Sequence, residues 1–246
     1  MGVIMFGGVS SKDVGIEVET FPTYDIPERE FEVVHVPGRN GDIILDNGTY
    51  KNVSRTYQVS IATYDTHYHQ KMAAVARWLC DSPGYLRLED SYEPDFYRLA
   101  YFNKQLSIDN LFNEAGRAKL EFTCKPQKYL KSGEFPIYLD ANGKIRNPTN
   151  QIALPIIRVE VDNSTGGTII FTSGTYVCSF SILANKGTEF IINSELQDVY
   201  INGTGKNDCV SFTSGYFPSL IGNATTNITL GTGITSVEII PNWWTV

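Results

Sequence analysis

Apolar residues alternate with polar ones along most of this chain, and a helical spacing is sustained in one place only. Val53, Tyr57, Val59 and Ile61 share one parity while Thr56, Gln58 and Ser60 share the other, the pattern of a strand with one buried face. Ala118, Leu120, Phe122 and Cys124 repeat it without a fault, which points the Cys124 thiol into a core. Between these runs, Tyr68, Met72, Val75, Ala76 and Leu79 form one apolar helical face. Asp65 or Thr66 can cap that helix, and Asp81-Ser82-Pro83-Gly84 must stop it, so it is predicted over about residues 66–80.

Further short β runs are predicted within residues 3–20 around an SSKD turn, and at 85–89, 96–102, 105–109 and 117–124. A second series follows at 156–161, 168–171, 175–180, 188–193, 199–201, 227–230 and 236–240, with turn residues between and no helical period. Short strands at this spacing predict an antiparallel sandwich. The fold class is therefore mainly β. An N-terminal, barrel-like domain with one helix spans residues 1–130 and a C-terminal β-sandwich spans 151–246. Pro126, Gly133, Pro136, Gly143 and Pro148 suggest a connector at 131–150, with a possible strand at 135–139. Charge usage supports the division: 32 of the first 130 residues are charged against 15 of the remaining 116, a composition break near residue 130.

The segment from 30 to 62 is longer than a domain of this size needs for joining two strands. The run Phe31–Val36 stops at Pro37-Gly38, followed by Arg39-Asn40-Gly41-Asp42 and, after Ile43-Ile44-Leu45, by Asp46-Asn47-Gly48 and Tyr50. Asn-Gly and Asp-Asn-Gly favour positive φ and read as hairpin turns. An exposed hairpin offers free edge N–H and C=O groups, so this reads as an arm for a neighbouring chain, with an ordinary surface loop as the plain alternative. The candidate inter-subunit residues are Pro37, Gly38, Arg39, Asn40, Gly41, Asp42, Asp46, Asn47, Gly48 and Tyr50. The Arg39 guanidinium could grip a neighbour's carboxylate or carbonyls. Equally, it could pair with Asp42 across the turn for no more than ~1 kcal/mol.

The stretches SSKDVGIEVETFPTYDIPERE and VPGRNGDIILDNGTYKNVSRTYQVSIA, with the PGRNG-D and DNG-Y-KN turns in that order, resemble the N-terminal domain of the distal tail protein family of long-tailed, non-contractile phages and prophages. The similarity covers roughly residues 5 to 130 and is weaker beyond, resting there on layout and on Trp243-Trp244. It implies a structural protein of the virion tail tip, made and assembled in the host cytoplasm: a hexameric ring joining the tail tube to tail-associated fibre or lysin and receptor-binding proteins, with DNA passing through. It also implies a galectin-like C-terminal sandwich. A carbohydrate-binding module for host wall or surface saccharide is the alternative function.

A net charge of −7, spread without a basic run, argues against a nucleic-acid-binding surface, and a lumen of like sign would let DNA pass without sticking. No stretch approaches the ~20 apolar residues of a membrane span, and the N-terminus lacks a signal-peptide pattern, so no membrane partner is expected. Cys80, Cys124, Cys178 and Cys209 have no metal or redox spacing and are expected to be reduced and mostly buried.

The search for catalytic chemistry is mostly negative, and neither catalysis, a metal nor a cofactor is predicted. His67 and His69 diverge by about 200° on a helix. Glu28, Glu30 and Glu32 share a strand face, which more often marks a solvated or partner-facing edge than a glycosidase pair. Gly203-Thr204-Gly205-Lys206 and Gly231-Thr232-Gly233 lack phosphate-loop spacing and read as turn glycines. Trp243 and Trp244 could form a sugar-stacking platform, although such a pair more often closes the end of a sandwich.

Overall fold

A computed structural model of the chain describes residues 2–23, 25–62, 68–111 and 115–246. The chain divides into two compact units, Met1–Lys128 with Val246, and Tyr129–Thr245. The expected helix caps Asp65 and Thr66, and His67, fall outside the described residues.

The first unit is built from β1 (Ile4–Phe6), β2 (Val9–Ser10), β3 (Ile16–Val18), β4 (Arg29–Val34), β5 (Ile43–Tyr50), β6 (Val53–Ala62), α1 (Tyr68–Cys80), β7 (Leu86–Asp90), β8 (Phe96–Tyr101), β9 (Ile108–Leu111) and β10 (Ala115–Leu130). Its main sheet runs β2-β1-β7-β8-β10-β6-β3, with β9 beside β10. The Gly2 N–H donates to the Val18 carbonyl at 3.2 Å, a bridge that returns the chain ahead of β1 to β3 and gives the sheet its barrel-like closure. The parity read from the sequence holds in β6, where Val53, Tyr57, Val59 and Ile61 are buried, and in β10, where Leu120, Phe122 and Cys124 are fully buried.

The helix contributes Val75 and Leu79 to this core, each burial being worth ~1.5–3 kcal/mol. Its face is rotated from the expected one. Ala76 is exposed, and Trp78 packs instead, its indole N–H donating to the Phe6 carbonyl at 3.0 Å. A hydrogen-bonded aromatic ring covers more of the barrel than an alanine methyl, so it decides which side faces inward. The strand predicted at 117–124 is longer, running through Pro126, which a strand accepts where that N–H is not part of the ladder.

The second unit contains β11 (Ile137–Leu139), β12 (Gly143–Arg146), β13 (Ile156–Val161), β14 (Gly167–Ser173), β15 (Tyr176–Ile182), β16 (Glu189–Asn193), β17 (Asp198–Ile201), β18 (Thr204–Gly205), β19 (Val210–Phe212), β20 (Thr225–Leu230), β21 (Ile234–Ile240) and β22 (Trp244–Thr245). Two antiparallel sheets, β11-β21-β13-β16-β17-β18 and β12-β20-β14-β15-β19, make the expected sandwich. Alternate residues such as Ile157, Val159, Phe190 and Val237 from one sheet share a core with Ile169, Phe171, Phe180 and Ile228 from the other.

The segment 131–150 is not a free connector: β11 joins one sheet through Ile137↔Ile239 and β12 the other through Ile145↔Thr226. Gly133 lies in a short 3-10 turn, Pro136 stands just before β11, Gly143 opens β12 and Pro148 follows it. The Gly-Thr-Gly motifs are turns, Gly203 at φ 75° between β17 and β18 and Gly233 at φ 90° between β20 and β21.

Candidate functional site

Among the described residues, β4 and β5 pair only with each other, as a two-stranded sheet apart from the barrel. The register Val33↔Ile44 and Val34↔Ile43 leads into a tip formed by Pro37-Gly38-Arg39-Asn40-Gly41, where Gly38 and Gly41 adopt φ of 83° and 80° and the Arg39 N–H donates to the Val36 carbonyl at 3.2 Å. Positive φ at both positions is what glycine allows at low cost. The hairpin proper thus covers 29–50, whereas β6, the end of the predicted arm, belongs to the barrel wall through its ladder to β10.

Asp46-Asn47-Gly48 is not a second turn. The register moves from Glu30↔Thr49 to Phe31↔Asp46, which leaves Asn47 and Gly48 as a bulge inside β5, with Gly48 at φ 73° and its N–H donating to Asp46 Oδ1 at 3.0 Å. A bulge uses the same positive-φ chemistry as a turn, which is why the sequence signal reads as either. Arg29 Nε also reaches Asp46 Oδ1 at 3.0 Å, and the guanidinium lies 5.8 Å from the centre of the Tyr50 ring. The Arg29 hydrogen bond, helped by the Gly48 N–H, holds the Asp46 carboxyl below its ordinary range.

The pairing of Arg39 with Asp42 is replaced by another. Asp42 Oδ1 lies 3.0 Å from His35 Nδ1, and the exposed Arg39 guanidinium has no partner among the described residues. Glu28 is paired with Lys51 at 3.1 Å and Glu30 accepts from Thr49 Oγ1 at 2.9 Å, so the three glutamates are not a free acid set.

Both faces of the hairpin carry uncovered apolar side chains. Phe31, Val33 and Ile44 lie on one face, exposed by 50, 52 and 65%, and Leu45 lies on the other, exposed by 49%. An isolated two-stranded sheet is marginal in water, and exposed apolar residues on both sides mark a surface that associates.

Trp243 and Trp244 are not a sugar platform. Trp243 is 5% exposed and part of the sandwich core, and the half-buried Trp244 donates its indole N–H to the Ile152 carbonyl at 2.9 Å. Their adjacent positions in a strand-like segment send the two rings to different surroundings. Among the described residues, no group of three or more His, Cys, Asp or Glu side chains could hold a metal, and no helix is long and apolar enough to cross a membrane.

Sequence reasoning missed a buried charged cluster in the barrel. Arg55, Arg98 and Lys128 are 3, 8 and 6% exposed and meet Asp90 and Glu93. The signal was present: Arg55 shares the inward parity of Val53 and Tyr57, and Lys128 that of Phe122 and Cys124.

No family model and no curated protein matches this chain. Among solved structures, the SPP1 Dit protein, described as a paradigm of the hub adsorption apparatus in phages infecting Gram-positive bacteria, superposes over 100% of both chains with a TM-score of 0.79 at 13% identity. The chain has the fold of a phage tail hub protein. Chains of the phage p2 baseplate in its activated conformation, with strontium and with calcium, match at TM-scores of 0.51 and 0.51 and at 10 and 9% identity, each over 97% of this chain and 96 and 97% of theirs. The hub fold is thus kept where almost no residue identities are, as expected when inward and outward parity, not particular side chains, define the strands.

Proposed function

We propose that this chain is a structural, non-catalytic protein of a phage or prophage tail tip, a distal tail hub that closes with copies of itself into a ring. The observation that carries the reading is the β4–β5 hairpin, which among the described residues pairs with no other strand and leaves Phe31, Val33, Ile44 and Leu45 exposed. Laid on the next copy, the hairpin makes a heterologous contact, and six such contacts, the number implied by the family resemblance, close without leaving an open end. The ring would join the tail tube to the fibre or lysin and receptor-binding proteins. At a net charge of −7 per copy, its lumen would pass DNA without holding it.

Light scattering behind size exclusion, with negative-stain images, tests this. A ring-shaped species near 165 kDa, six times 27.5 kDa, is the expected result. A monomer at every concentration, with the tube protein present as well as absent, would overturn it.

A further inference from the structure

We propose that Asn40, at the tip of the β4–β5 hairpin, is a site of spontaneous covalent modification, selected by the fold from four Asn-Gly pairs. The sequence holds Asn40-Gly41, Asn47-Gly48, Asn142-Gly143 and Asn202-Gly203. In such a pair the glycine nitrogen attacks the side-chain carbonyl carbon of the asparagine, because no Cβ on the glycine hinders the ring that forms. At the tip, the new bond joins the Gly41 nitrogen to Asn40 Cγ, the bond from Cγ to Nδ2 breaks, and the amide proton leaves with Nδ2 as ammonia. Water then opens the five-membered imide on one side to aspartate, or on the other to isoaspartate with an extra methylene in the backbone. The net exchange is one water for one ammonia, and a neutral amide becomes a carboxylate.

The reaction needs a free glycine nitrogen and an asparagine whose side chain and backbone can turn towards it, and three of the pairs lack one or the other. The Gly48 N–H donates to Asp46 Oδ1 at 3.0 Å inside the β5 bulge. Asn142 Oδ1 accepts the Leu230 N–H at 2.8 Å, and Gly143 is held in the ladder opposite Ile228 with Leu139 packed against it. Asn202 and Gly203, at φ 48° and 75°, are the two central residues of a tight turn closed by the pair Ile201↔Thr204, so the ladder braces their backbone on both sides. At the hairpin tip the ladder ends at Val34↔Ile43. Asn40 and Gly41 are both exposed there, and neither the Asn40 side chain nor the Gly41 N–H has a hydrogen-bond partner among the described residues. The product carboxylate stands next to Arg39 and offers that exposed guanidinium a partner within its own chain. The consequence for assembly rests on the ring reading: modification withdraws Arg39 from the neighbouring copy.

Peptide mapping by mass spectrometry, on the full-length protein aged in mildly alkaline buffer and fragmented so that isoaspartate is told from aspartate, tests the site. In the native protein Asn40 is expected to convert roughly tenfold faster, or more, than Asn47, Asn142 or Asn202, because the other three must wait for local opening. In urea, where all four pairs are released from the fold, that advantage should disappear. Conversion of another pair ahead of Asn40, equal rates at all four in the native protein, or no conversion at Asn40 in the time the unfolded chain takes, would each overturn the proposal. Light scattering tests the consequence: Asn40→Asp should shift the population from ring to monomer relative to Asn40→Gln, which keeps the amide, and equal populations would overturn that step. Absence of rings from the unmodified protein would count against ring formation alone, since the mapping is read on the free chain.

Discussion

Arg55 Nη2 lies 3.1 Å from Asp90 Oδ2, with the two side chains only 4 and 6% exposed. Each is held by further bonds: Arg55 also reaches Glu93 Oε2 at 3.1 Å and the Thr23 carbonyl at 3.2 Å, while the Tyr57 hydroxyl donates to Asp90 Oδ2 at 2.7 Å. Lys128 and Arg98 complete the set on Glu93 at 2.7 and 3.2 Å. Asp90 Oδ1 accepts the N–H groups of Tyr92 and Glu93, both at 2.9 Å, so the pair also fixes the turn that follows β7. The cluster ties β6, β7, β8 and β10 to one turn, and its value depends on every member being present.

Removing one cation should therefore be severe. Arg55→Ala leaves Asp90 and Glu93 short of compensation inside the barrel and is expected to destabilise the first unit by ~3–5 kcal/mol. Arg158→Ala, which breaks the exposed pair with Glu238 in the second unit, should cost ~1 kcal/mol or less. Urea unfolding followed by probes in each unit would separate the two, and equal effects would contradict the role given to burial.

The same cluster sets a pH window. Burial raises the Asp90 carboxyl, but the Tyr57 hydrogen bond and the Arg55 charge outweigh it and leave it below its ordinary value; for Glu93, burial is outweighed by Lys128, Arg98 and Arg55. Carboxylates depressed on folding add stability that is present above their unfolded values of ~4 and is lost as pH falls through the folded ones. Tyr57 is the opposite case, raised well above its ordinary value by burial and by the Asp90 charge. Its contribution is present below pH ~10 and is lost in more alkaline solution. The melting temperature of the first unit should fall below about pH 4, and Asp90→Asn should flatten that acid limb.

How much of this was legible in the sequence follows from what each element needs. Strand parity in β6, β10 and β13 could be read directly, because one face of each is buried against a core. Strands β12 and β19 could not, being four and three residues long. Asp46-Asn47-Gly48 was found but given the wrong geometry, since positive φ serves a bulge as well as a turn. Arg55 went unread because an inward charge is meaningful only once Asp90 and Glu93, distant in sequence, are brought to it.

The hairpin tip separates association from folding. Arg39 has an exposed side chain and no partner among the described residues, so Arg39→Ala should leave the melting temperature of the monomer nearly unchanged, within ~0.5 kcal/mol. The ring population measured by light scattering should nonetheless fall. Phe31→Ser together with Val33→Thr, which removes half-exposed apolar surface from one face, should reduce it further. A parallel loss of monomer stability in Arg39→Ala would assign that residue to the hairpin's own fold.

Thiol chemistry offers a direct check on both cores. Cys80 is exposed near the end of α1, whereas Cys124, Cys178 and Cys209 are buried. Burial pushes the Cys124 thiol up to about 12 and also raises Cys178. Buried and out of reach, Cys124, Cys178 and Cys209 should react slowly with an aromatic disulfide reagent, and Cys80 quickly. One rapid equivalent is expected from the native protein, three more after denaturation, and none of the rapid phase in Cys80→Ser.

Trp243→Ala provides the sharpest contrast between a core tryptophan and a binding one. Trp243 packs so close to Gly133 that a Cβ added there would lie 2.4 Å from the Trp243 backbone nitrogen and 3.1 Å from its ring Cδ1. The Asn242 N–H donates to the Gly133 carbonyl at 2.9 Å and the Leu130 N–H to the Trp243 carbonyl at 2.8 Å, so the Trp243 backbone is held against the 130–133 segment. Emptying this site should cost the second unit ~3–5 kcal/mol, and Gly133→Ala should also destabilise it, because backbone cannot yield as a flexible side chain can. If Trp243 instead carried a sugar site, Trp243→Ala would abolish oligosaccharide binding with the melting curve of the second unit unchanged, and a combined calorimetric and unfolding experiment on that one variant distinguishes the two.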